Sequence, residues 1–258
     1  MRAPVSRVEV ARQLRALGVE PGGVLLVHTS FRAVSPVEGG PRGLIEALQK
    51  VTGAEGTLVV PSWSGNDDEP FDPLTTPASQ DLGVVADQFW RIAGVRRSDH
   101  VFAFAAAGPH AEQILKDPLP LPPHIAESPV GRVHELDGQV LLLGVGHDAN
   151  TTLHLAELIA GVPYRVPRYC TVREAGELVR VHYGENDHCC ARFALADGWL
   201  RARAALREGP VGHGTARLMR SRAVVAAAVE QLERDPLVFL HPRDAGCEEC
   251  SQARDSIA

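Results

Sequence analysis

The sequence predicts an α/β protein of three layers, with helices on both faces of a mixed sheet. Stretches of helical periodicity alternate with short, continuous apolar runs, and those runs are rich in Val and Leu and bounded by Gly or Pro. Size agrees: 258 residues, 45% of them hydrophobic, make one large domain or a domain with a small lobe. A chain of this length buries roughly 75% of its unfolded surface and needs no cross-links to fold.

Ser6-Arg7-Val8-Glu9 has the form of a capping box, in which the Ser hydroxyl accepts from the N3 amide and the Glu reaches back to the cap. Val10, Leu14 and Leu17 then share a helical face, and Gly18 supplies a left-handed stop. After Pro21-Gly22-Gly23, residues 24–27 (Val-Leu-Leu-Val) show no polar alternation, the mark of a strand buried on both faces. Leu44, Ile45, Leu48 and Val51 recur at helical period, and residues 56–60 form the next buried strand. Residues 84–92 read as a helix. Residues 140–143 are the clearest central strand, running into Gly144-Val145-Gly146. A helix from 150 to 160 follows, capped by Asn150 or Thr151 and stopped by Gly161. Residues 178–183 alternate like a half-exposed strand, 190–205 and 215–232 read as helices, and 237–240 as a closing strand. The connections 65–81 and 117–129 are long, and loops of that length in compact domains are usually functional or mobile.

The formal charge is −6, with no block of Lys or Arg. Nucleic acid and anionic lipid are disfavoured as partners, and a cationic ligand is favoured. No apolar run approaches the ~20 residues a membrane helix needs. The opening MRAPVSRVEVARQ lacks the apolar core of a secretory signal, so a reducing, cytoplasmic setting is expected and the five cysteines are thiols or metal ligands.

Chemistry-bearing residues fall in groups. His154 and Glu157, three apart on one helix, share a face, where the carboxylate can fix the imidazole tautomer and leave the other nitrogen as a base; a surface His beside an unrelated Glu has the same spacing. The turn at Gly144 and Gly146 opens that helix and suits an anionic group, though it matches neither a dinucleotide fingerprint nor a P-loop. Thr29, Ser30, Phe31 and Arg32 follow the first buried strand, where α/β sheets bind ligands; Ser30 and Arg32 hold a phosphate or oxyanion there, or form a plain turn. Asp67-Asp68-Glu69, Asp72 and Glu185-Asn186-Asp187 are solvated loops or, with Trp63, the wall of a site for a polycation. Cys247-x-x-Cys250 with one further Cys and one His, from Cys189, Cys190, His188 and His241, makes a four-ligand structural zinc site, free thiols being the alternative. Cys170 reads as a small buried hydrophobe.

Across nearly the whole chain, LLVHTSFR, VVPSWSGNDDEPFDP, DPLPLPPH, SPVGRVHELDGQVLLLGVGHDANTTLHLAE, ENDHCCARFALADGWL and GPVGHGTARL, in that order, resemble the aminoglycoside 3-N-acetyltransferases of the class IV type. The resemblance implies an α/β/α sandwich unlike the GNAT fold, one domain over 1–258 with a smaller substrate-side lobe around 62–82 and 165–200. It implies transfer of acetyl from acetyl-CoA to the 3-amino group of 2-deoxystreptamine antibiotics of the gentamicin, tobramycin and apramycin class, by a monomer or homodimer. Acetylation of another physiological amine is the alternative. His154 becomes the general base and Glu157 its orienting partner. Acetyl-CoA is expected along Thr29, Ser30, Phe31, Arg32, Gly144 and Gly146 with Ser128, and the drug's ammonium groups at Asp67, Glu185 and Asp187. Relatives with Cys at the position of His241 suggest that His241 completes the zinc set, with Cys189 or Cys190 as its partner. Val101 after His100, where many relatives carry Pro, is a departure that bears on local loop shape.

Overall fold

The buried runs of the sequence become the strands of one sheet. The structure, a computed structural model, describes residues 2–116 and 121–257. In chain order the first half runs α1 (Arg7–Leu17), β1 (Val24–Thr29), α2 (Phe31–Val34), α3 (Gly40–Thr52), β2 (Thr57–Pro61), α4 (Gly83–Phe89), β3 (Arg96–Arg97), β4 (Phe104–Ala107) and α5 (Ala111–Leu115). The second half adds α6 (Pro129–Glu135), β5 (Gln139–Leu143), α7 (Thr152–Ala160), β6 (Val166–Glu174), β7 (Glu177–Glu185), α8 (Leu195–Ala202), β8 (Arg207–Val211), β9 (Gly214–Arg220), α9 (Ser221–Arg234) and α10 (Glu248–Asp255).

The main sheet has the order β3-β4-β2-β1-β5-β9-β8. Its centre is parallel: β1 pairs with β2 on one side and β5 on the other, with Leu26 opposite both Val59 and Val140. The flanking strands are antiparallel, so the sheet is mixed. Alternate side chains of each central strand feed two separate cores. Leu26, Val59, Val140 and Leu142 meet α6, α7, α9 and α10, whereas Leu25, Val27, Leu58 and Leu141 meet α1, α3 and α4. That is the expected three-layer α/β/α arrangement, and burial on both faces explains why these strands show no alternation. β6 and β7 form a separate two-stranded ribbon, and Cys170 and Val172 pack there with Phe71, Val101 and Tyr183.

Several expectations are met locally. Ser6 Oγ accepts from Glu9 N–H (3.1 Å) and Gly18 closes α1 at φ 105°. The reciprocal half of the box does not form, because the Glu9 carboxylate pairs with Arg12 instead. Asn150 Oδ1 accepts from Thr152 N–H (3.2 Å) at the start of α7, and Gly161 ends it.

Other expectations are corrected. The stretch 215–232 is not one helix: Gly212 turns the chain at φ 60°, residues 214–220 pair as β9 with β5 and β8, and α9 begins only at Ser221. The segment 190–205 opens with a single 3₁₀ turn, Ala191–Ala194, and is α-helical only over α8. Residues 237–240 are turns, and their apolar character has another use: Phe239 is fully buried, 4.6 Å from the ring of Phe193. In the proline-bearing connection, 117–120 lie outside the described residues, and the segment resumes at Leu121.

Candidate active site

Because β1, β2 and β5 are parallel, their C-terminal ends open on the same edge of the sheet. A cavity of about 190 Å³ lies there, lined by Val27, His28, Thr29, Pro61, Trp63 and Val145 among others. Burial drives the pKa of His28 down to about 3, so it is neutral, and its Nε2 lies 3.3 Å from Thr151 Oγ1. The Thr29 hydroxyl is buried at this edge with no protein partner.

The second structural feature is a carboxylate with three donors. Glu157 is completely buried on α7. One turn earlier on the same face, His154 Nδ1 donates to Glu157 Oε2 (2.9 Å). Oε1 takes His188 Nε2 (2.8 Å) and the hydroxyl of the buried Tyr164. Burial alone would raise the carboxyl pKa, but His188 and His154 reverse this and bring it to about 2. An ionised carboxylate only accepts, so His154 must carry its proton on Nδ1, which makes Nε2 the basic nitrogen.

Around that nitrogen the packing is close. Cys190 Sγ lies 3.4 Å from His154 Nε2. Its backbone N–H donates to His188 Nδ1 (3.1 Å), which holds Cys190 at φ 58°. Phe193 meets the His154 ring edge-on at 4.9 Å, and His124 stacks on it at 5.3 Å. Burial disfavours the His154 imidazolium, yet Cys190 and Glu157 outweigh this and hold its pKa well above the ordinary histidine value.

The acidic residues adjoin this network. Glu185, at the end of β7, has its pKa pushed up to about 7, first by burial and then by the charge of Asp187, while His154 and Arg168 pull it down and Asp67 adds to the rise. Asp187 accepts from Arg168 Nε (2.8 Å). Asp67 is raised mainly by burial, and its carbonyl accepts from Thr171 N–H (2.8 Å), which stitches the loop after β2 to β6. His154, Asp67, Glu185 and Asp187 therefore form one neighbourhood, while Trp63 lines the cavity at the strand ends.

The remaining expected residues fall as follows. Ser30 caps the short α2 without using its side chain, and Arg32 is exposed. Gly144 sits at φ 73° with the space for a Cβ already taken by Ala33, 2.7 Å away, so glycine is required there. A Cβ on Gly146 would meet Asp148 Oδ1 at 2.5 Å. The Ser128 hydroxyl accepts from Gly131 N–H (3.2 Å) and so caps α6. Of the five expected metal ligands, Cys189, Cys247 and Cys250 come together, all three sulfurs within 4.8 Å of one another. Cys190 instead faces His154, and His241 stands outside the three-thiol cluster. Two contributors to the carboxylate network, Tyr164 and the role of His188, escape sequence reasoning. His188 lies 31 positions from Glu157 and carries no spacing signal toward it.

The family model for aminoglycoside 3-N-acetyltransferases matches residues 26–233. Aminoglycoside N(3)-acetyltransferase IV of Salmonella sp is 69% identical over 240 residues, covering 93% of this chain and 92% of the relative. Crystal structures of AAC(3)-IVa in its H154A form superpose closely. The complex with a gentamicin has a TM-score of 0.98 at 68% identity, covering 100% and 99% of the two chains. The apramycin complex has a TM-score of 0.92 at 66% identity, covering 97% and 100%. A binary complex of AAC-IIIb with CoASH aligns at a TM-score of 0.82 and 26% identity, covering 90% and 97%. The chain belongs to the aminoglycoside 3-N-acetyltransferase family. It is an acyltransferase, and its mixed α/β architecture is that of this family.

Proposed function

We propose that the enzyme acetylates the 3-amino group of the 2-deoxystreptamine ring in aminoglycosides of the gentamicin, apramycin and tobramycin class. Acetyl-CoA is the donor, transfer is direct within a ternary complex, and the outcome is resistance to the drug. The observation that carries this is the His154–Glu157 pair, in which the buried carboxylate holds Nδ1 and leaves Nε2 as the base, with the acidic side chain of Glu185 close enough to feel the charge of His154. The relatives crystallised with gentamicin, apramycin and CoASH support the ligand classes.

At neutral pH the drug amine is largely ammonium and has no lone pair to attack with. Nε2 of His154 takes the proton as nitrogen adds to the thioester carbonyl, and Glu157 stabilises the imidazolium that forms. Holding both substrates together makes the step effectively unimolecular. The carbonyl oxygen gains charge in the tetrahedral intermediate, and the Thr29 hydroxyl, buried without a partner at the strand ends, supplies a donor to it; the Ser30 amide is already given to the Leu143 carbonyl. Asp67, Glu185 and Asp187 bind the drug's other ammonium groups. The product carries one positive charge fewer, which weakens its attraction to ribosomal RNA. Acetyl-CoA lies along Thr29 to Arg32 and the turn at Gly144 and Gly146, and the enzyme works in the cytoplasm.

Of the four-ligand zinc set expected from the sequence, we keep Cys189, Cys247 and Cys250 as the residues that would hold a structural zinc, without His241. Three clustered sulfurs, one from the loop before α8 and two from α10 and its cap, are the donor type zinc prefers, and bound metal would pin that loop to the C-terminal helix.

The test is release of the coenzyme thiol from acetyl-CoA across a panel of amines. Release with gentamicin and apramycin, and a product acetylated at the 3-amino group by NMR, is expected. Release with simple amines but not with these drugs would overturn the proposal.

A further inference from the structure

We infer that Cys190 is a covalent-modification site for soft carbon electrophiles such as α-haloamides, and that its adduct closes His154 to the substrate amine. The second half rests on the proposed role of His154 as base; the first half does not.

Cys190 is partly exposed, with Sγ 3.4 Å from His154 Nε2 and 3.3 Å from the His188 carbonyl oxygen. Behind the imidazole stands Glu157, so sulfur, ring and carboxylate form the sequence of nucleophile, base and orienting acid used in covalent catalysis. The backbone that carries the thiol is held in place. Its N–H is held by His188 Nδ1, and His188 is itself held by Glu157. The other thiols differ. Cys170 is fully buried in the ribbon core, Cys250 is buried, and Cys189 and Cys247 have sulfur neighbours rather than an imidazole nitrogen. The proposed acetyl transfer takes the proton on His154, supported by Glu157, and leaves this sulfur without a task.

With an α-haloamide the step balances simply. Sγ forms a bond to the methylene carbon, the carbon–halogen bond breaks, halide leaves with the bonding pair, and the thiol proton passes to His154 Nε2 and then to water. The added amide group then occupies the space beside Nε2 that the drug amine must enter.

The experiment treats the purified enzyme with iodoacetamide, removes excess reagent, maps adducts by peptide mass spectrometry and measures gentamicin acetylation. Labelling of Cys190 in step with loss of activity, slowed by saturating gentamicin, is expected. Cys190→Ala, compared with its own untreated rate, keeps its activity under the same treatment. His154→Ala is labelled at Cys190 more slowly, by about tenfold or more, the scale of a lost base. The inference is overturned if Cys190 stays unlabelled while activity falls, if Cys190→Ala is inactivated as fast as the parent, or if labelling ignores His154→Ala. Full acetylation by unlabelled His154→Ala would instead remove the proposed base while leaving the labelling result intact.

Discussion

Glu157 organises the charges of the site. A buried carboxylate is costly unless its oxygens are satisfied, and here His154, His188 and Tyr164 supply the donors. Its negative charge favours the His154 imidazolium, so Glu157→Gln should lower turnover and also move the acid limb of the kcat/KM profile to lower pH. In the parent enzyme the base works only when neutral, and its pKa is raised; activity should therefore fall as pH drops through a midpoint above the ordinary histidine value. A pH–rate series on the two proteins checks both statements. Glu185 gives an independent pH signature. Its carboxyl has a pKa of about 7 in the free enzyme and gains charge as pH rises through that value. The KM for gentamicin should accordingly fall across that range, and Glu185→Gln should flatten the dependence.

Elements were legible where local pattern and tertiary use coincide. α1 announces itself by Ser6 and Gly18, and Ser6→Ala should cost about 1 kcal/mol in urea denaturation, because one capped amide loses its partner. β1, β2 and β5 were readable because their continuous Val and Leu runs are buried on both faces of the sheet. β4, Phe-Ala-Ala-Ala, was not, since alanine carries no strand preference and only pairing with β2 decides it. The run at 237–240 misled for the opposite reason: a hydrophobic run signals burial, and burial beside Phe193 needs no ladder. α7 was legible as a helix, and the spacing put His154 and Glu157 on one face. What the spacing could not supply was the far side of Glu157, where Tyr164 and His188 arrive from other segments.

At the scale of the molecule, two cores on opposite faces hold the parallel strands, whose ends line a cavity with Trp63, while the end of the ribbon brings Glu185 within reach of the charge of His154. The negative formal charge suits a polycationic substrate, and among the described residues no helix is long and apolar enough to cross a membrane. The three-thiol cluster joins α10 to the loop carrying His188 and Cys190. If zinc is held there, metal analysis will find it bound, and chelation will lower Tm; metal-free protein with an unchanged Tm would reject the assignment. The central claim concerns one imidazole, and gentamicin acetylation by His154→Ala tests it most directly, with drug binding followed by calorimetry. Retained binding with turnover reduced by ~10²–10⁴, the usual contribution of a general base, is predicted. Turnover equal to that of the parent enzyme would contradict the account.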